Sequence, residues 1–198
     1  FLQFEFFDKH LAEKIVGEHG QVDAYIAANV MCHIPHINSI VEGIKVLLKP
    51  DGIVMFEDPY LGDVIRNTSY DQIYDEHTFL YSVHAIQYLF EQFEMKVIDV
   101  EPQGTHGGSM RYVIAHKGAR QVHDNVHNQL QLERTLGLTE PETFDRFRES
   151  CEIYRADLIN LLTEVRSQGK TIAGYAATSK STTIINYCGI STEHLDCI

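Results

Sequence analysis

Two spacings of apolar residues run along the chain. In residues 8–19, Leu11, Ala12, Ile15 and Val16 recur at helical intervals. Residues 22–30 form a short, nearly continuous apolar run, which suits a buried parallel strand. Ile40, Val41, Ile44, Val46, Leu47 and Leu48 mark a second helix, and Lys49-Pro50-Asp51-Gly52 after it is a strong turn signal. Residues 53–57 read as the next strand. Helix, strand, helix, strand predicts an α/β fold with a parallel sheet.

The pattern then changes. Residues 58–78 are polar and read as a loop, and residues 82–93 as a helix with Ser82 at its N-cap. Two strands follow, 95–100 and 110–116, with no helix between them, so an antiparallel pair is expected at the end of the sheet. Residues 118–168 read as a helical connector. Within it Phe144, Phe147, Cys151, Tyr154, Leu158, Leu161, Leu162 and Val165 share one helix face, with Pro141 in the first turn and Gly169 at the end. Residues 171–175 suit a strand, 176–181 a loop and 182–187 a helix, which together open a second α/β unit. The expected domains are therefore 1–117, 118–168 and 169–198. The chain starts without Met in a patterned segment and ends at Leu195-Asp196-Cys197-Ile198, which resembles the entry to a strand. It is expected to be part of a longer polypeptide.

Charge narrows the function classes. Lys plus Arg is 16 and Asp plus Glu is 28, a formal charge of −12 over 198 residues, so bulk attraction to nucleic acid is not expected. A small anionic ligand held by local amides stays compatible with that charge. No apolar run approaches the roughly 20 residues of a membrane helix. No secretory leader is evident, and a cytoplasmic, membrane-free protein is the expectation. Cys32, Cys151, Cys188 and Cys197 form no CxxC pair, so reduced thiols and no metal site are expected.

Four places carry candidate chemistry. The first, Asn29-Val30-Met31-Cys32-His33-Ile34-Pro35-His36, follows the first strand. Ligands of open parallel sheets sit beyond the carboxyl ends of strands, so His33 either meets a ligand there or caps a helix. The second is Tyr74-Asp75-Glu76-His77, where Glu76 beside His77 makes an acid–base unit or an ordinary solvated pair. Tyr70, Tyr74, Phe79 and Tyr81 argue for order in this long segment. The third, Thr105-His106-Gly107-Gly108-Ser109, allows close backbone approach but by itself is better read as a turn between strands. The fourth, Gly174-Tyr175-Ala176-Ala177-Thr178-Ser179-Lys180-Ser181-Thr182-Thr183, joins a strand to a helix. Its small residues, hydroxyls and one Lys suit an anion, and a plain strand-to-helix turn is the competing reading. P-loop spacing is absent.

Taken in order and spacing, these segments resemble the S-adenosylmethionine-dependent C-methyltransferases that act on nucleotide-linked keto-deoxysugars. The resemblance runs through Asn29 to Pro35, Leu47-Leu48-Lys49-Pro50-Asp51-Gly52, Asp58-Pro59-Tyr60, Tyr74 to His77 with Ser82, Thr105 to Ser109, and Gly174 to Asn186 with Tyr187-Cys188-Gly189. It implies the second half of a class I methyltransferase (Rossmann-like) sheet ending in an antiparallel pair, a helical connector, and the start of a second Rossmann-like domain. Zinc, bound through cysteines in such proteins, would belong to an N-terminal region outside this chain. The Gly-rich loop that grips the methionine end of the cofactor is also outside it.

The resemblance also implies roles. His77 would be the general base, with Tyr74 and Glu76 as neighbours and His33 as a second active-site imidazole. Ala28, Asn29, Met31 and His33 would lie near S-adenosylmethionine. Tyr60, His106, Gly107, Tyr175, Ser179 and Lys180 would face the nucleotide-linked sugar. Ala176 stands where such proteins often carry Gly. Chemically, a base removes a proton beside the ketone, Glu76 orients the imidazole, and Tyr74 or His33 donates to the enolate oxygen. Three other readings are an O- or N-methyltransferase of a small metabolite, in which His77 would be dispensable, a non-catalytic nucleotide-sugar binding module, and, more weakly, a metal enzyme, which eleven His invite although His33 and His36 lie in a different segment from His77. The oligomeric state is not legible.

Overall fold

The structure is a computed structural model that describes residues 2–175 and 178–198. It divides into two compact units, Phe1–Gly62 with Thr78–Leu138 and Asp63–His77 with Thr139–Ile198.

The first unit is built on a four-stranded sheet. Its strands are β1 (Val22–Ala28), β2 (Leu48–Pro59), β3 (Met95–Gln103) and β4 (Ser109–His116), in the spatial order β1-β2-β4-β3. β1 and β2 are parallel, and β4 runs antiparallel to both β2 and β3. This is the α/β arrangement with a terminal antiparallel pair that the pattern predicts. The helices α1 (Lys9–His19), α2 (Ile37–Leu47), α4 (Val83–Glu91) and α5 (Asp124–Leu136) belong to this unit. α1 starts at Asp8, whose carboxylate accepts from the Leu11 amide at 2.8 Å, and α4 starts at Ser82, whose hydroxyl accepts from Ala85 at 3.1 Å. Gly43 lets α2 approach α1 closely: a Cβ there would lie 2.8 Å from the Asp8 carbonyl oxygen.

One face of the sheet holds the core. Val54 and Phe56 of β2 and Tyr112 and Ile114 of β4 are buried with Ile40, Val41 and Ile44 of α2 and Ile86 and Phe90 of α4. Phe56 stacks on Tyr112 at 4.8 Å and on Phe90 at 6.1 Å between ring centres. On the other face Ile26 is exposed and Ile53 and Met55 are half-buried.

Several expectations change in detail. Lys49-Pro50-Asp51-Gly52 does not separate helix from strand but lies inside β2. Val22 pairs with Leu48 and Ala24 with Ile53, so two steps along β1 match five along β2 and the turn is accommodated as an irregularity. Gly52 fits there because a Cβ would meet the Asp23 carbonyl oxygen at 2.9 Å. Residues 58–78 are not wholly loop: α3 (Leu61–Asn67) and a 3-10 turn (Tyr70–Gln72) lie within them. Leu61, Val64 and Ile65 supply the helical spacing, and Val64 is buried. The connector is two helices, α5 and α6 (Pro141–Ser167), separated where Gly137 takes a left-handed φ of 67°. α5 belongs to the first unit and α6 to the second.

In the second unit the expected apolar face of α6 is buried only at Cys151, whereas Phe144, Tyr154 and Leu161 are exposed. α7 (Ser179–Cys188) begins earlier than its apolar pattern suggests, because Thr178 and Ser181 cap its first turn reciprocally. In place of a strand over 171–175 there is one parallel bridge, Ala173 to Cys197. Arg166 closes this end by binding both carboxylate oxygens of Asp196 at 2.7 Å, while Asp196 Oδ2 accepts from the Ile172 amide at 2.7 Å. Among the described residues no helix is long and apolar enough to cross a membrane.

Candidate active site

The first group of expected site residues sits at the carboxyl end of β1. Ala28 and Asn29 are exposed there, and Asn29 adopts a left-handed φ of 51° while its amide donates to the Glu57 carbonyl at 2.7 Å. The chain then enters a 3-10 turn, Met31–His33, closed by the His33 amide on the Val30 carbonyl at 3.1 Å. Met31 is in the core, and its carbonyl accepts from the Tyr81 hydroxyl at 3.3 Å. Its side chain therefore shapes the turn from below rather than lining a ligand surface. His33 is half-buried, with its carbonyl accepting from Thr78 Oγ1 at 3.5 Å.

Two residues that the sequence motifs contain but gave no role of their own, Asp58 and Cys32, hold this turn. Asp58, fully buried at the end of β2, accepts from the Cys32 amide at 3.1 Å through Oδ2. Burial pushes its carboxyl up to about 6, and contacts from the Cys32 thiol and amide, the Val30 amide and the charge of His33 pull in the opposite direction. Burial and the adjacent carboxylate push the Cys32 thiol up as well, so it stays protonated and donates. The only hint in the sequence was the alternation Val54, Phe56, Asp58, which puts a carboxylate on the buried face of β2.

The Thr105 segment is fixed by ion pairs across the sheet. Glu57, Arg111 and Glu101 are register neighbours on β2, β4 and β3. Arg111 binds Glu57 at 3.1 Å and Glu101 at 2.8 Å, and Glu57 accepts from Thr105 Oγ1 at 2.9 Å. That tether holds a 3-10 turn (Thr105–Gly107) on which His106 and Gly107 are exposed with φ of 55° and 85°.

Tyr60 has a different task from the one expected. It is 1% exposed, and its hydroxyl donates to Glu133 Oε1 at 2.9 Å and accepts from Gln129 at 2.9 Å. Glu133, from α5, also accepts from the Val83 and His84 amides at 2.6 and 2.9 Å, so it caps α4 from a neighbouring helix. Tyr60 is thus a strut of the core, shielded from any substrate.

The second unit contains the proposed base. Tyr74-Asp75-Glu76-His77 is a reverse turn closed by the His77 amide on the Tyr74 carbonyl at 2.9 Å. The closure sets the two rings 4.0 Å apart between centres, with the Tyr74 hydroxyl 2.9 Å from His77 Nε2. His77 Nδ1 lies 2.7 Å from the Gln72 carbonyl oxygen. A carbonyl only accepts, so Nδ1 carries the hydrogen in the neutral ring and Nε2 holds the lone pair, which accepts from Tyr74. Gln72 orients the imidazole through its main chain, a contact with no side-chain signature. Glu76 is exposed at the corner of the turn.

The same turn borders a groove of about 490 Å³ lined by Tyr74, Asp75, Thr178, Ser179, Thr182, Thr183 and Asn186. Thr183 Oγ1 anchors the wall by donating to the Ile73 carbonyl at 3.2 Å. Tyr70 supports the base of α7, its ring 5.1 Å from that of Tyr187 and its hydroxyl 3.5 Å from Cys188 Sγ. Of the residues expected at the sugar, Ser179 lines this groove, whereas Lys180 is half-buried at the start of α7 and Tyr175 is fully exposed. Ala176 lies outside the described residues. The four further hydroxyl and amide residues of the groove follow from α7 continuing one helical face through 178, 182 and 186.

Residues 2–100 match the family model described as "Methyltransferase domain", and residues 104–198 match "C-methyltransferase C-terminal domain". The chain belongs to the S-adenosylmethionine-dependent C-methyltransferase family. The C-methyltransferase NovU of Streptomyces niveus is 32% identical over 190 residues, which are 96% of this chain and 45% of NovU. The chain thus spans under half the length of that relative. A solved S-adenosylmethionine-dependent methyltransferase from Anabaena variabilis aligns at 14% identity and a TM-score of 0.44, covering 58% of this chain and 57% of that one. For a C-methyltransferase the end of β1 suits the cofactor: Ala28 is exposed and small, Asn29 adds an exposed amide, and Val30 adds apolar surface at 43% exposure.

Proposed function

We propose that the protein methylates a carbon next to the ketone of a nucleotide-linked keto-deoxysugar, with His77 as the general base. The observation that carries the reading is the fixed tautomer of His77, which directs its basic nitrogen toward the Tyr74 hydroxyl at 2.9 Å. On this reading residues 1–117 are the C-terminal half of the methyltransferase domain, 118–168 a connector and 169–198 the start of a second α/β domain.

Carbon is a poor nucleophile until it loses a proton, so the protein must supply a base and stabilise the enolate. Substrate entry turns the Tyr74 hydroxyl from Nε2 toward the ketone oxygen. Nε2 then takes the proton from the adjacent carbon, and the electron pair of the broken C–H bond moves into the enolate, whose oxygen accepts from Tyr74. The imidazolium keeps its Nδ1–H on the Gln72 carbonyl, a bond that strengthens as the ring becomes charged. Ala28, Asn29 and Val30, with His33 close by, would hold S-adenosylmethionine, which would supply the electrophilic methyl group to the enolate carbon, the S–CH3 electron pair staying on the departing neutral sulfur. His106 and Gly107 complete the substrate surface of the first unit. The groove beside Tyr74 suits sugar hydroxyls, because Asp75, Asn186 and the threonines offer both donors and acceptors. Asp75 and the reciprocal cap of Thr178 and Ser181 favour a neutral ring over a phosphate at that spot.

In the intact protein, His77→Ala is expected to lower turnover by about 10²–10⁴-fold while S-adenosylmethionine affinity, read by calorimetry, stays within about twofold. Unchanged turnover would remove His77 from the chemistry and favour transfer to oxygen or nitrogen by positioning alone.

A further inference from the structure

We propose that Asp58 is a positioning residue for methyl transfer: it clamps the Val30-Met31-Cys32-His33 turn through Cys32 and so sets the edge of the cofactor surface. The inference rests on the reading that this turn faces S-adenosylmethionine. Its own basis is geometric. Asp58 is the last acidic side chain on the buried face of β2 and is fully buried. Its Oδ2 accepts from the Cys32 amide at 3.1 Å, and the Cys32 thiol and Val30 amide also turn toward the carboxylate. Oδ1 has no hydrogen-bond partner and no solvent contact. A core built for stability alone would place an apolar residue here, since an isolated buried carboxylate opposes folding. What the carboxylate provides in return is a charged acceptor for a turn that is also tied by neutral hydrogen bonds, among them Met31 to the Tyr81 hydroxyl, Cys32 to the Phe79 amide and His33 to Thr78.

The clamp also titrates. The ionisable groups facing Asp58 are Cys32 and His33 of the turn, Tyr81 ahead of α4 and Tyr112 of β4. Burial holds both tyrosines and the thiol above their usual ranges, so they stay neutral, and the carboxyl changes charge at about 6. Protonation leaves a neutral acceptor, and a neutral hydrogen bond holds the turn less firmly than a charge-assisted one.

The test uses the intact protein and two readouts: hydrogen exchange at the Cys32 amide, and S-adenosylmethionine affinity against pH. Asp58→Asn keeps the shape and mimics the neutral form. It is expected to speed Cys32 exchange and weaken cofactor binding about fivefold each. It should also abolish the loss of affinity that the unaltered protein shows as pH falls through about 6. If Asp58→Asn does not fold, Cys32→Ala serves: losing the thiol donor moves the midpoint of the affinity change upward. Unchanged Cys32 exchange in Asp58→Asn, or an unmoved midpoint in Cys32→Ala, overturns the role of Asp58. Faster exchange with unchanged affinity overturns instead the reading that the turn faces the cofactor.

Discussion

Two of the described turns that carry a histidine at their fourth position lie among the candidate site residues. One turn ends at His33 and closes onto the Val30 carbonyl at 3.1 Å; the other ends at His77 and closes onto Tyr74 at 2.9 Å. They are secured by different means. The first is held from beneath by a buried carboxylate that grips the main chain. The second is held through the imidazole itself, by a main-chain carbonyl on Nδ1 and a phenol on Nε2. A ring fixed on both nitrogens has one defined basic position, which proton abstraction requires. A turn fixed by its backbone presents a surface, which ligand binding requires. The contrast accords with the proposed roles, chemistry at His77 and shaping of the cofactor surface by the His33 turn.

The largest effect that would break this contrast is on turnover. His77→Ala should cost about 10²–10⁴-fold, whereas His33→Ala should act mainly on cofactor or substrate affinity, with turnover at saturation within about tenfold. Equal losses of turnover would make the two turns chemically equivalent.

Next comes a control on the scaffold. Glu133→Ala leaves Tyr60 Oη and the Val83 and His84 amides without their shared acceptor. Denaturant melts should show a loss of about 3–5 kcal/mol. A loss under about 1 kcal/mol would mean that Tyr60 is not a core strut and reopen its role at the substrate.

A smaller effect concerns pH. The folded protein raises the Asp58 carboxyl from an ordinary 3.8 to about 6, so it binds that proton more tightly than the unfolded chain does. Stability from this group is therefore greatest below the unfolded value and falls as pH rises through the window to about 6, by on the order of 3 kcal/mol. Urea midpoints of the unaltered protein and of Asp58→Asn should differ in slope across that window. Parallel slopes would show that the carboxylate is not buried as a charge.

The smallest effect sharpens the account of the second turn. Tyr74→Phe removes the hydroxyl that faces Nε2 and, in the proposed step, the enolate oxygen. A fall in turnover of about tenfold is expected. No change would leave the phenol as packing alone.

Much of the scaffold was legible because it depends on local pattern. The apolar runs at 22–30 and 53–57 gave the parallel strands, although β1, at the end of the sheet order, has no buried residue where its run suggested a buried strand; Ser82 gave the start of α4, and the absence of a helix between residues 100 and 110 gave the antiparallel pair. Features that depend on tertiary contact were not legible. Pro50 and Gly52 signal a turn, yet they lie within β2 as an irregularity, because pairing with β1 resumes at Ile53. The exposed side of α6 carries Tyr154 and Leu161 at the spacing that ordinarily marks a core. In the candidate site, His77 and Tyr74 were visible as residue types in a turn-forming string. Asp58 and the carbonyl of Gln72 were not, since a buried acceptor and a main-chain oxygen leave no distinctive mark in sequence.

The most direct measurement is proton exchange at carbon. The intact protein is incubated in deuterated buffer with a nucleotide-linked keto-deoxysugar and without methyl donor, and deuterium next to the ketone is followed by NMR. The account predicts incorporation by the unaltered protein and a rate at least about a hundredfold lower in His77→Ala. Equal incorporation by both, or methyl transfer in a protein that shows no exchange at all, would contradict it.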